Sequence, residues 1–284
     1  MKYVKILILI ACTTFFLSSC YNDNTLSSGG GFENGCINCD ATLSSQSGGE
    51  NYGTTGGATG QSGSITRFAV HNGFMYALNP NEIVTYDLSN ADEPKKVNAL
   101  QTDYGLETIF IYENTIYLGS RNALYILGLE NPKQPNILSQ TTRDEIFIGG
   151  CDPVVVQGNY AYSTVKIIEN ICGWTNSFSA LIVYDVTDKE NPIEVGTYPL
   201  NVPNGLGIKG NRLFVCDEGS DQITIFDISD PTNLQMLWDE SITADNPFDV
   251  IVSGNTMIVS MQTQFEIFDV SDLNNIVPVG VITR

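Results

Sequence analysis

The stretch QITIFDISDPTNL, Gln222 to Leu234, is a short apolar strand that ends on Asp227 and runs into a Pro/Asn turn. Close copies stand around it: EIVTYDLSNADEP ending at Pro94, SALIVYDVTDKENP ending at Pro192 and FEIFDVSDLNNI ending at Ile276. A decayed copy, ALYILGLENPKQP, ends at Pro135. The aligned markers are Asp87, Gly128 (the decayed one), Asp185, Asp227 and Asp269, separated by 41, 57, 42 and 42 residues. Short strands recurring with a period of about 40–50 residues are the signature of propeller blades. The fold class expected is all-β, a β-propeller of five four-stranded blades.

Each unit reads alike. In the fifth, strand a covers 249–253, strand b 257–261, strand c 265–270 and strand d 277–282. The a–b turns align as His71-Asn72-Gly73, Glu113-Asn114, Gly158-Asn159, Gly210-Asn211 and Gly254-Asn255. Gly and Asn tolerate the positive φ of a tight hairpin. Strand interiors such as Val154-Val155-Val156 are apolar on both faces, as blades packed between neighbours must be. The repeats fall near 65–105, 106–150, 151–201, 202–246 and 247–284. They begin on strand a and end on strand d, so no terminal strand is exchanged, and the ring is expected to close by packing the first blade on the fifth.

SALIVYDVTDKENPIEVGTY and QITIFDISDPTNLQML resemble the LVIVD-repeat proteins over 65–284. The resemblance implies β-propeller blades in an extracytoplasmic protein and no assigned activity. The second unit departs from it at Gly128.

Ahead of the repeats, residues 1–19 read as a lipoprotein signal peptide. Two lysines lie in Met1 to Lys5, Ile6 to Leu17 is almost wholly apolar, and Leu17-Ser18-Ser19-Cys20 follows. A transmembrane helix needs about 20 apolar residues, more than this run holds. Leu-Ser-Ser-Cys resembles the bacterial lipoprotein box, which makes Cys20 the expected lipidated residue. With no Asp after it, the sorting pattern points to the cell envelope and an outer membrane. Residues 20–64 are Gly, Ser, Thr and Asn with scarcely an aliphatic side chain, a composition that reads as a flexible tether. Cys36 and Cys39 lie within it as CINC, without the second ligand pair a zinc site needs or the βαβ context of a redox pair.

The formal charge is −19, and −21 without the two lysines of the signal. Such a chain is not drawn to nucleic acid or to an anionic membrane surface.

The third unit is longer than its neighbours because residues 166–179 are inserted between strands b and c. Cys172 lies in that insertion and Cys151 just before strand a of the same blade, so both reach one face, and in an oxidising compartment a Cys151–Cys172 disulfide is expected. Cys216, within strand b of the fourth unit, reads as a core thiol. On that same face the first residues of the innermost strands, Arg67, Glu107, Asp152, Asn204 and Asp249, are expected to ring the channel mouth, with Trp174 from the insertion offering a ring face. They form a candidate ligand site for a glycan or protein. The acidic turn Asp217 to Asp221 is a weak candidate for Ca²⁺, lacking the alternating ligands and closing Glu of an EF-hand loop.

Catalytic signals are sparse. The single histidine, His71, falls in an a–b turn on the opposite face, which removes the base of a Ser-His-Asp triad from the mouth. There is no G-x-S-x-G, P-loop or dinucleotide fingerprint. The carboxylates at the mouth leave a carbohydrate-active hydrolase or lyase as the alternative to a non-catalytic binding or scaffolding module, because glycoside chemistry needs only two acids.

Overall fold

The structure is a computed structural model. It describes residues 64–103, 105–120, 123–142, 153–166, 169–171, 174–176 and 179–283. Blade 1 is β1 (Phe68–His71), β2 (Phe74–Asn79), β3 (Glu82–Asp87) and β4 (Lys95–Gln101). Blade 2 is β5 (Leu106–Tyr112), β6 (Thr115–Ser120), β7 (Ala123–Gly128) and β8 (Asn136–Thr142). Blade 3 has β9 (Val154–Gln157), β10 (Tyr160–Lys166), β13 (Ser179–Asp185) and β14 (Ile193–Pro199). Its insertion adds a small hairpin of β11 (Glu169–Ile171) and β12 (Trp174–Asn176). Blade 4 is β15 (Pro203–Lys209), β16 (Arg212–Asp217) and β17 (Gln222–Asp227), with an outer strand split into β18 (Gln235–Met236) and β19 (Ile242–Thr243). Blade 5 is β20 (Pro247–Ser253), β21 (Thr256–Met261), β22 (Gln264–Asp269) and β23 (Val277–Thr283). Every blade is an antiparallel meander, and together they form the five-bladed β-propeller read from the repeats.

The repeated Asp earns its place through turn chemistry. Asp87, Asp185, Asp227 and Asp269 each accept the backbone N–H two residues on, from Ser89, Thr187, Ser229 and Ser271, at 2.8–2.9 Å. This is the Asx turn that carries strand c into its following loop. The next residue then donates its N–H to the a–b turn of its own blade, as Ile228 does to Asn211 and Val270 to Asn255. The pattern survives at Gly128, where Leu129 still donates to Asn114. Strand c is therefore tied at its end to the a–b turn, whatever the identity of the marker.

Four hydrophobic clusters hold the blades together, one at each seam between blades consecutive in sequence. Ile83 and Tyr76 of blade 1 pack with Ile109 and Leu118 of blade 2. Tyr117 and Ile126 meet Val154 and Ala161 across the next seam. Val183 and Tyr162 meet Leu213 and Phe226. Phe214 and Cys216 meet Val259 and Met257. Cys216 is fully buried and free, as a core thiol should be, and burial pushes its thiol well above the ordinary range, followed by the nearby charge of Asp249. Polar latches repeat as well. Tyr112 accepts from Gly158 N, Gln157 donates to Gly210 O, and Lys209 donates to Gly254 O, so the ends of strands a in blades 2, 3 and 4 grip the a–b turn of the following blade.

The seam between blade 5 and blade 1 is different. Among the described residues no hydrophobic cluster spans it. Phe68 and Val70 of β1 are each 58% exposed, and Ile258 of β21 is 36% exposed. Among the described residues, the expected packing of first blade on fifth is thus not made through a buried apolar cluster. The cause lies in the outward faces themselves: the equivalent positions are sealed at the other seams by a neighbour's apolar face, and here both stay open to solvent.

Candidate functional site: the entry of the chain into the ring

Ser64 stands at the point where the chain enters the ring. Composition assigns it to the tether, yet it is 1% exposed. Its hydroxyl donates to Asp249 Oδ1 at 3.0 Å and accepts from Leu206 N at 2.7 Å. Two residues on, Thr66 O accepts from Ile109 N at 2.9 Å and Thr66 Oγ1 donates to Ile109 O at 3.2 Å. The lead-in therefore bonds to the innermost strands of blades 2, 4 and 5 before it becomes blade 1.

Close approach makes this possible. A Cβ on Gly205 would lie 2.1 Å from Asp249 Oδ1 and 2.8 Å from Asp249 Cα, so β15 and β20 touch backbone to backbone where only glycine fits. Burial drives the Asp249 carboxyl up to about 6, against hydrogen bonds from the Ser64 hydroxyl and from the N–H groups of Val250, Ile65 and Ser64.

Beside this staple lies a polar cluster. Asn204, 6% exposed, donates through Nδ2 to Glu218 Oε2 at 3.0 Å and to Pro247 O at 3.3 Å. Lys166 Nζ lies 3.1 Å from Glu218 Oε2 and 3.5 Å from Asn204 Oδ1. Thr164 Oγ1 donates to Asn204 O at 2.7 Å. Burial raises the Glu218 carboxyl, but the hydrogen bonds from Asn204 and Lys166 and the ammonium charge outweigh it and hold it below its ordinary value. The side chains of Lys166 and Glu218 keep 23% and 39% of their exposure, so the pair faces solvent with donor and acceptor side by side.

The residues expected around one mouth divide between two places. Asn204 and Asp249 meet at the seam of blades 4 and 5. Arg67 is exposed and reaches Leu106 O at 3.4 Å, next to Glu107, which is 9% exposed; these two sit where blades 1 and 2 join. Little of Glu107 is open to solvent. Asp152, Cys151, Cys172, Cys20, Cys36 and Cys39 lie outside the described residues, as does the side chain of Trp174, whose backbone opens β12. Lys166 and Glu218 are the residues that sequence reasoning passed over. Glu218 stood in the acidic turn it singled out, and Lys166 at the edge of the insertion, but their pairing joins blades 3 and 4.

The acidic turn contains a short 3-10 turn, Glu218–Ser220, and its carboxylates are engaged by neighbouring backbone and side-chain donors. Asp217 accepts from Val202 N at 2.7 Å and Ser220 Oγ at 2.8 Å, and Asp221 accepts from Asn246 N at 3.2 Å. Among the described residues no group of three or more His, Cys, Asp or Glu is placed to hold a metal ion.

The sequence of blade 4, from its inner strand to its outer edge, matches a known repeat. Residues 204–238 match the LVIVD repeat. The LVIVD unit thus runs from Asn204 at the polar cluster to Trp238 at the blade's outer edge. No curated protein matches the chain. Among solved structures, a protein of Lactobacillus plantarum is 14% identical, with 74% of this chain and 68% of that one covered and a TM-score of 0.58. A periplasmic gluconolactonase of Pseudomonas aeruginosa is 12% identical, with 76% and 67% covered and a TM-score of 0.55. These likenesses concern the propeller fold.

Proposed function

We propose that this protein is a non-catalytic binding module of the cell envelope, held to a membrane by a lipid on Cys20. It presents the face carrying Lys166, Asn204 and Glu218 to a glycan or protein partner. One observation supports this above others: Lys166 and Glu218, 3.1 Å apart and tied to Asn204, keep 23% and 39% of their side-chain exposure and so offer a donor and an acceptor side by side.

A glycan array and a pull-down with the full chain in detergent, beside Lys166→Met and Glu218→Gln, test the reading. Loss of a bound partner in both variants is expected; unchanged binding in both overturns the assignment of this face. The anchor is tested separately by Cys20→Ser, which should move the protein from the membrane to the soluble fraction.

A second reading, a carbohydrate-active hydrolase or lyase, is favoured by the raised carboxyl of Asp249, the property of a general acid. It requires turnover of a bound sugar that Asp249→Asn abolishes.

A further inference from the structure

Blade 4 breaks the pattern of the repeats at its outer edge. In the other four blades strand d is a continuous seven-residue strand paired along strand c. In blade 4, β18 pairs with Phe226 and Asp227 and β19 with Gln222 and Ile223, and the chain between them turns outward as a 3-10 turn, Trp238–Glu240. Trp238 at its head is 69% exposed, the most exposed of the large hydrophobic side chains described.

The turn is held, not loose. Leu237 N donates to Ile225 O at 2.8 Å, and the Leu237 side chain packs into the cluster between blades 4 and 5. Glu240 N closes on Leu237 O at 3.0 Å. Arg212, 8% exposed, sits beneath, with Nη1 2.8 Å from Asp227 Oδ2 and Nε 3.2 Å from Glu240 Oε2. A nearly buried cation thus clamps the turn to the repeat's own Asp. The protein fixes the backbone on both sides of a tryptophan whose indole it leaves in water.

The surroundings select the ligand. A protein interface wants a contiguous apolar patch with an aromatic anchor at its centre. Trp238 is instead flanked by the exposed Asp239 and Gln235 and the partly exposed Glu240 and Ser241. A single rigid aromatic plate in a polar, acidic rim matches a pyranose ring, which has an apolar C–H face bordered by hydroxyls. The acids and the net charge of −19 disfavour a polyanion.

We propose that Trp238 is the stacking plate of a sugar-binding site on the outer edge of blade 4, taking an uncharged or amino-bearing pyranose. This rests on the glycan branch of the function proposed above but moves the contact from the ring's face to its rim.

The test is calorimetric titration of the full chain in detergent with cellohexaose, a chitosan hexamer and oligogalacturonate, using wild type, Trp238→Ala, Trp238→Phe and Glu218→Gln. Binding of the neutral or the amino sugar, weakened about tenfold or more by Trp238→Ala and largely kept by Trp238→Phe, is the expected result. Equal binding by Trp238→Ala and wild type overturns the site, as does tighter binding of oligogalacturonate than of the other two. Sugar binding lost only in Glu218→Gln overturns it while leaving the face reading intact. A protein captured through Trp238 with no sugar bound overturns the ligand class. Circular dichroism melting of Trp238→Ala should match wild type, since an exposed ring supports no packing.

Discussion

The hydroxyl of Ser64 donates to the carboxylate of Asp249 across 185 residues of sequence, and the same oxygen accepts from Leu206 N. One small side chain thereby joins the entry of the chain to two inner strands at the far end of the fold. With no apolar cluster at the seam of blades 5 and 1, this contact carries more of the ring's integrity than its size suggests.

Ser64→Ala removes a buried hydroxyl that both donates and accepts. It leaves Leu206 N and a carboxylate short of a partner, at a cost of about 1–3 kcal/mol. Urea unfolding should show a lower midpoint with an unchanged slope. A midpoint equal to wild type would mean that the lead-in contributes nothing to stability.

Asp249 sets a pH dependence. Its folded carboxyl lies near 6, above the unfolded value of 3.8, so the native state holds the proton more tightly. The relative stability this gives is present below pH 4 and lost as pH rises to 6, a difference of order 3 kcal/mol. The lowered carboxyls, such as Asp227 and Glu218, act in the opposite sense at more acidic pH. Comparison of urea midpoints at pH 4.5 and 7 should therefore show Asp249→Asn gaining on wild type at the higher pH. A difference that stays constant across the two would contradict the burial of this acid.

Gly205 and Gly158 separate two roles of glycine. Gly205→Ala drives a Cβ into the backbone of Asp249 and should cost roughly 3 kcal/mol or more, or prevent folding. Gly158 has φ +58 with nothing near its missing Cβ, so Gly158→Ala pays only for the left-handed backbone, about 1 kcal/mol. Thermal melts rank the two; the reverse order would disprove the close approach of β15 and β20.

Asp227 does more than its repeats. It shares the turn bond of Asp269, but it also faces Arg212 at 2.8 Å. Asp227→Ala leaves that nearly buried guanidinium with Glu240 alone and should destabilise by roughly 2–4 kcal/mol. Asp269→Ala loses only the turn bond and should cost less. Equal losses would remove Arg212 from the account.

The open seam predicts tolerance. Phe68→Ser and Val70→Thr change side chains that are more than half exposed and should shift stability by no more than about 0.5 kcal/mol. Leu118→Ala, fully buried between blades 1 and 2, should cost about 2–5 kcal/mol. If the β1 substitutions cost as much as Leu118→Ala, the seam is packed in solution.

The amino-acid sequence by itself determined the blades. A strand that alternates or runs apolar, an Asp that closes an Asx turn and a Gly or Asn that accepts positive φ are local devices, so Asp87, Asp185, Asp227 and Asp269 and the a–b turns announced their roles without any fold. The buried thiol of Cys216 was legible for the same reason, lying inside an apolar strand. What only the tertiary structure decided lies between blades. Ser64 looked like tether because its composition is tether, and it is buried only because Gly205 lets two inner strands close around it. Spacing alone grouped Arg67, Glu107, Asn204 and Asp249, but the hairpin registers align Arg67 with Asp249 and Glu107 with Asn204 one residue earlier, so they meet different neighbours. The Lys166–Glu218 pair, the Arg212 clamp on Glu240 beside the exposed Trp238 and the unsealed faces of blades 1 and 5 depend on which surfaces meet. A repeat pattern specifies each blade's own hydrogen bonds, whereas contacts between blades depend on side-chain packing across seams, and sequence spacing carries no record of that.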